Sequence, residues 1–104
     1  MEKIAFVMTL LPGKEAEYKK RHDEIRPELA TALKEAGVSD YSIFYEEDSN
    51  KLFAVLKRSN DHRMDELPDS PIVKKWWAYM ADIMQTNEDD SPLSNPLTKV
   101  FHLE

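Results

Sequence analysis

Residues 3–10, KIAFVMTL, are apolar on both sides of an extended chain, Ile4, Phe6, Met8 and Leu10 alternating with Ala5 and Val7. Successive strand residues point to opposite faces, so a strand of this kind needs cover above and below. Residues 51–57, KLFAVLK, repeat the pattern, with Leu52, Ala54 and Leu56 set against Phe53 and Val55. A chain of this size buries only about two-thirds of its unfolded surface. Its helices can cover one face of a sheet. The other face calls for a twofold-related copy packed sheet against sheet, and a homodimer is expected.

The rest of the chain supplies elements to match. Pro12-Gly13 breaks the first strand, and from Lys14 to Ala36 the positions Tyr18, His22, Ile25, Leu29, Leu33 and Ala36 recur at steps of four and three. That is the stripe of an amphipathic helix, closed by Gly37. Pro27 lies inside it and predicts a bend close after His22. Residues 38–46 (VSDYSIFYE) and 51–57 flank Glu47-Asp48-Ser49-Asn50 as an antiparallel hairpin, with Tyr41, Ile43 and Tyr45 on one face. A short helical turn is expected near 60–67, and Ser70-Pro71 opens a second helix running to about Gln85. A polar loop over 86–96 leads to LTKVFHL, 97–103, as the last strand. The order β-α-β-β-α-β is ferredoxin-like, an α+β sandwich with both helices on one face of an antiparallel sheet. One domain over residues 1–104 is expected.

Lys and Arg total 14 against 20 Asp and Glu, and the net charge of −6 opposes binding that neutralises phosphates, so nucleic acid is an unsuitable partner. With no cysteine there is neither a disulfide framework nor a thiolate nucleophile. His22, His62 and His102 lack metal-ligand spacing, so no metal site is expected. The N-terminal apolar run is too short for a signal segment or a membrane span, which predicts a cytoplasmic protein without a membrane partner. Gly13 and Gly37 are the chain's two glycines, and they form no phosphate-binding loop.

His22 sits where the helical stripe demands an apolar side chain. A buried histidine ordinarily satisfies a backbone carbonyl, but Tyr18 stands one turn before it. Two polar-tipped rings on the inward face of one helix suit a pocket lining, and an imidazole there exchanges protons near neutral pH. Pattern alone leaves both roles open. Trp76 and Trp77 are adjacent, about 100° apart on a helix, so one can pack inward while the other walls a pocket. Aromatic walls suit the C–H faces of sugars.

Several segments taken together, EYKKRHDEIRPEL (17–29), SDYSIFYEE (39–47), FAVLK (53–57), PIVKKWWAYMADIM (71–84) and VFHL (100–103), resemble the L-rhamnose mutarotase family. The likeness runs in order along nearly the whole chain. It implies a dimeric α/β barrel that interconverts the α and β anomers of L-rhamnose without a cofactor. It further implies His22 as proton donor, with Tyr18, Tyr41, Trp76 and Trp77 as sugar contacts. Arg26 departs from the tryptophan that relatives typically carry, altering the expected wall beside His22, and NEDDSP at 87–92 replaces Asn-Pro-Asp-Asn-Ser-Pro. Two other classes fit the same architecture: a cofactor-light monooxygenase of the dimeric barrel type and a non-enzymatic small-ligand sensing module.

Overall fold

The computed structural model describes residues 1–25 and 27–104; Arg26 and the expected change in the pocket wall lie outside them. Strand β1 (Glu2–Thr9) is followed by helices α1 (Glu15–Asp23) and α2 (Pro27–Glu35), then by the hairpin of β2 (Val38–Glu46) and β3 (Lys51–Arg58). A 3-10 helix (Met64–Asp69), helix α3 (Pro71–Met80) and strand β4 (Ser94–Leu97) complete the order. The strands form one sheet, β2-β3-β1-β4, antiparallel throughout. This is the ferredoxin-like arrangement that the sequence predicts.

Cross-strand register decides what each face carries. Ile4, Phe6 and Met8 lie opposite Leu56, Ala54 and Leu52, while Ala5 and Val7 lie opposite Val55 and Phe53. Met8, Leu52 and Ala54 are buried with Leu10, Tyr18, Met80, Ile83 and Met84 in one core cluster. This is the helix-covered face. On the other, Val7, Phe53 and Val55 are only half-buried, and Phe44, opposite Phe53, is 64% exposed. The two-sided apolar strands are therefore real, and one chain covers one side.

Three boundaries differ from expectation. The single helix with a bend is two helices, because Pro27 does not kink an existing helix but begins a new one, where its missing N–H costs nothing. α1 closes before it, with the Ile25 N–H donating to the His22 carbonyl at 3.1 Å. The second predicted helix ends at Met80 rather than near Gln85. Residues 83–85 are captured by the end of β1 instead, since Leu11 donates to the Ile83 carbonyl and Gln85 to that of Thr9, at 2.9 and 3.0 Å. Ile83 and Met84 thus stay buried outside a helix. The last strand covers 94–97, with Pro96 tolerated on a sheet edge; residues 98–104 pair with no strand among the described residues, and Val100, Phe101 and Leu103 are exposed.

Gly37 ends α2 at φ +95°, where a Cβ would collide with Ser59 Oγ and crowd His62, so both its backbone angle and its surroundings demand glycine. Among the described residues no helix is long and apolar enough to cross a membrane.

Candidate active site

Helix α1 is written in charge. Glu15 and Glu17 fall in its first turn and Lys20 and Arg21 in its last, each favourable to the helix dipole. Lys19–Asp23 at 2.6 Å and Arg21–Glu17 at 3.0 Å add contacts one turn apart. The only residue that α1 buries is Tyr18. His22, one turn on, is half-buried.

The Nδ1 atom of His22 lies 3.0 Å from the Tyr18 carbonyl oxygen. A carbonyl only accepts, so Nδ1 carries the hydrogen, and in the neutral ring the lone pair sits on Nε2. The Tyr18 ring stacks over the imidazole at 4.3 Å with a 32° tilt, and Trp76 from α3 meets it edge-on at 5.2 Å. Burial among these rings holds the imidazole below its usual 6.5, and the Tyr18 carbonyl and Asp23 only partly oppose that. His22 is therefore neutral at pH 7.

The sheet contributes Tyr41. Between Ser39 and Ser42 the β2 register slips against β3: Lys57 pairs with Ser39 and Val55 with Ser42, so Asp40 and Tyr41 together face Leu56. This is a bulge, and Asp40 takes φ +48°, a conformation that aspartate tolerates better than most residues. Tyr41 reaches across the sheet to Phe6, edge to face at 6.4 Å, over the small side chain of the fully buried Ala54, which pairs with Phe6. Tyr41 keeps 38% of its surface exposed, yet partial burial pushes its hydroxyl up to about 12. Burial raises Tyr18 still further, and Tyr41 adds to it. Both phenols stay protonated across the physiological range, as hydrogen-bonding groups rather than bases.

Of the residues singled out by sequence, the structure brings Tyr18, His22 and Trp76 together and sets Tyr41 close enough to influence Tyr18. Trp77 is half-buried, and among the described residues it joins none of these ring pairs. His62 accepts the Met64 N–H through Nδ1 at 3.2 Å at the start of the 3-10 helix, and His102 is exposed in the tail. Two open grooves beside α2, sharing Ala32, Glu35 and Ser70, include none of the site residues. Sequence reasoning missed Phe6, Arg21, Tyr79 and Asp82. Phe6 read as core, and Arg21 as one charge in a run of four basic residues. The pairing of Glu17 with Arg21 was open to an i,i+4 reading; the tie to Asp82, 61 residues away, was not.

The chain as a whole is similar to known proteins along its full length. Residues 3–103 match the family model for L-rhamnose mutarotase. The L-rhamnose mutarotase of Rhizobium meliloti is 61% identical over 104 residues, covering 100% of both chains. That of Sinorhizobium medicae is 59% identical over 103 residues, 99% of each. The crystal structure of L-rhamnose mutarotase from Formosa agariphila superposes with a TM-score of 0.93 at 52% identity, covering both chains fully. A putative antibiotic biosynthesis monooxygenase from Bordetella bronchiseptica aligns with a TM-score of 0.64 at 15% identity, covering 97% of this chain and 100% of its own, a likeness of fold alone.

Proposed function

The chain belongs to the L-rhamnose mutarotase family, and on that premise we propose that it is an isomerase exchanging the α and β anomers of L-rhamnose, with His22 carrying the proton. The observation that carries the assignment of His22 is its setting: Nδ1 committed to the Tyr18 carbonyl, Nε2 with no partner among the described residues, and aromatic rings on two sides.

Exchange needs only proton transfers. The C1–O5 bond breaks as the ring oxygen gains a proton and the anomeric hydroxyl loses one, giving the aldehyde. Rotation about C1–C2 presents its other face, and closure reverses both transfers. Because closure is the reverse of opening, the group that gives the proton to O5 must also take it back. An imidazole does both near neutral pH. Burial favours the neutral ring at rest, so Nε2 first takes the proton that the anomeric hydroxyl loses, and the imidazolium so formed gives it to O5 and returns to neutral; closure runs the same two transfers in reverse. Tyr18 and Tyr41 serve as hydrogen-bonding groups to the sugar, and Trp76 and Trp77 as its walls. These apolar surfaces favour the 6-deoxy methyl over a hydroxymethyl, a discrimination of about 10²-fold at most.

The half-open sheet face belongs to the same reading. Val7, Phe53, Val55 and Phe44 on one surface, with Val100, Phe101 and Leu103 on the tail, fit a homodimer packed sheet against sheet as a dimeric α/β barrel in the cytoplasm. Light scattering at micromolar concentration should give twice the chain mass, and a monomer with intact circular dichroism would refute the barrel. For the activity, saturation-transfer NMR on L-rhamnose at anomeric equilibrium should show faster exchange with catalytic protein and an unchanged anomer ratio. Exchange no faster than in buffer at equal pH would overturn the assignment.

A further inference from the structure

Helix α1 carries His22 yet buries only Tyr18, so apolar packing alone holds it weakly. Arg21, the residue before His22, supplies a second attachment. Its side chain is only 11% exposed. Nε donates to Glu17 Oε1 at 3.0 Å on its own helix, and Nη1 donates to the Tyr79 carbonyl at 2.7 Å and to Asp82 Oδ1 at 2.8 Å. Nη2 completes a fork to Asp82 Oδ2 at 3.3 Å. The guanidinium carbon also lies 4.6 Å from the centre of the Tyr79 ring.

These contacts close a circuit. Tyr79 meets Trp76 at 5.8 Å between ring centres, and Trp76 meets His22 at 5.2 Å. His22 is the peptide neighbour of Arg21. One guanidinium thus ties α1 to the end of α3 on one side, while the rings tie the same two helices on the other.

We propose that Arg21 is a positioning residue for the reaction: through Asp82, the Tyr79 carbonyl and the Tyr79 ring it fixes the distance between the His22 imidazole and the Trp76 wall. It touches neither the sugar nor the reacting atoms. This rests on the mutarotase reading for its kinetic consequence and on geometry alone for its effect on His22. Lysine cannot substitute fully, because one ammonium cannot hold Glu17, both Asp82 oxygens and the Tyr79 carbonyl in a fixed plane.

The test compares Arg21→Ala, Arg21→Lys and Asp82→Ala by two readouts, the exchange kinetics on L-rhamnose and the NMR titration of the His22 imidazole. Misplacement of a catalytic group by about 1 Å costs up to about 10²-fold in rate. Arg21→Ala should therefore lose about ten- to a hundredfold in kcat, with far less change in KM. Its His22 titration should move up toward 6.5 as α1 loosens and water reaches the ring. Arg21→Lys should fall between Ala and the parent, and Asp82→Ala should shift both readouts in the same direction by less. A merely structural arginine would lower the folded fraction while leaving kcat per folded molecule and the titration where they were, and that result overturns the proposal. Should Arg21→Ala not fold, Asp82→Ala decides by the same readouts, since the Asp82 side chain is 67% exposed and its loss spares the core. Absence of exchange in the parent protein would refute the mutarotase reading alone, because the titration still reports on the clamp.

Discussion

Helices α1 and α2 are each nine residues long and stand on either side of Arg26, but they are held by different physics. α2, PELATALKE, lays Leu29 into the interior and leads into buried Ala36 and Val38, an ordinary apolar attachment. α1, EAEYKKRHD, has no comparable apolar stripe and is fastened by one buried tyrosine, a ring stack and the Arg21 fork. The difference separates stability from chemistry. Burial on α2 stabilises the fold without regard to ring orientation, whereas the directional contacts of α1 contribute less to stability and more to where one imidazole points.

The sharpest way to break that comparison is to truncate one residue on each helix. His22→Ala should leave the unfolding midpoint nearly in place and remove most of the acceleration, about 10²- to 10⁴-fold for a positioned acid or base. Leu29→Ala should do the reverse, losing about 2–5 kcal/mol of stability in denaturant titration while the exchange rate per folded molecule is kept. An unfolded His22→Ala protein would instead make His22 a core residue like Leu29.

A smaller effect distinguishes the tryptophans. Trp76 abuts His22 and Trp77 does not, so Trp76→Ala should raise KM for L-rhamnose more than Trp77→Ala does. The gap should be about tenfold, the equivalent of one aromatic contact. Equal effects would place Trp77 in the wall as fully as Trp76. Smallest of all is Lys19→Ala, which breaks an exposed ion pair on α1 and should cost less than about 0.5 kcal/mol in the same denaturant assay.

How far the sequence speaks for each helix follows from the same contrast. Alternation and helical spacing depend on neighbours in the chain, so the strands, the helix-covered face and the inward positions of Tyr18 and His22 were legible. Boundaries set by distant partners were not. Nothing local shows that 83–85 pairs with the end of β1, or that Pro27 starts a helix rather than bending one. The ring cluster was half legible, since adjacent tryptophans on a helix diverge but their sequence does not say which faces His22. The Asp40–Tyr41 bulge and the Arg21–Asp82 fork depend on tertiary register and left no local mark.

The linkage of His22 to pH joins the two roles. Its folded-state pKa is depressed below 6.5 because burial penalises the imidazolium, so the unfolded chain binds the proton more readily. The stability that the neutral ring contributes is fully present above 6.5 and is lost as pH falls from there toward the depressed value. His22→Gln should flatten that part of the stability profile.

The most direct measurement of the central claim follows the His22 imidazole by NMR across pH, assigned by its absence in His22→Gln, alongside the L-rhamnose exchange rate on the same samples. The account predicts one titration below 6.5 with the Nδ1–H tautomer at neutral pH, and an inflection in the enzymatic rate at that same pH. An imidazole titrating at or above 6.5, or a rate profile that passes through its titration without inflection, would contradict it.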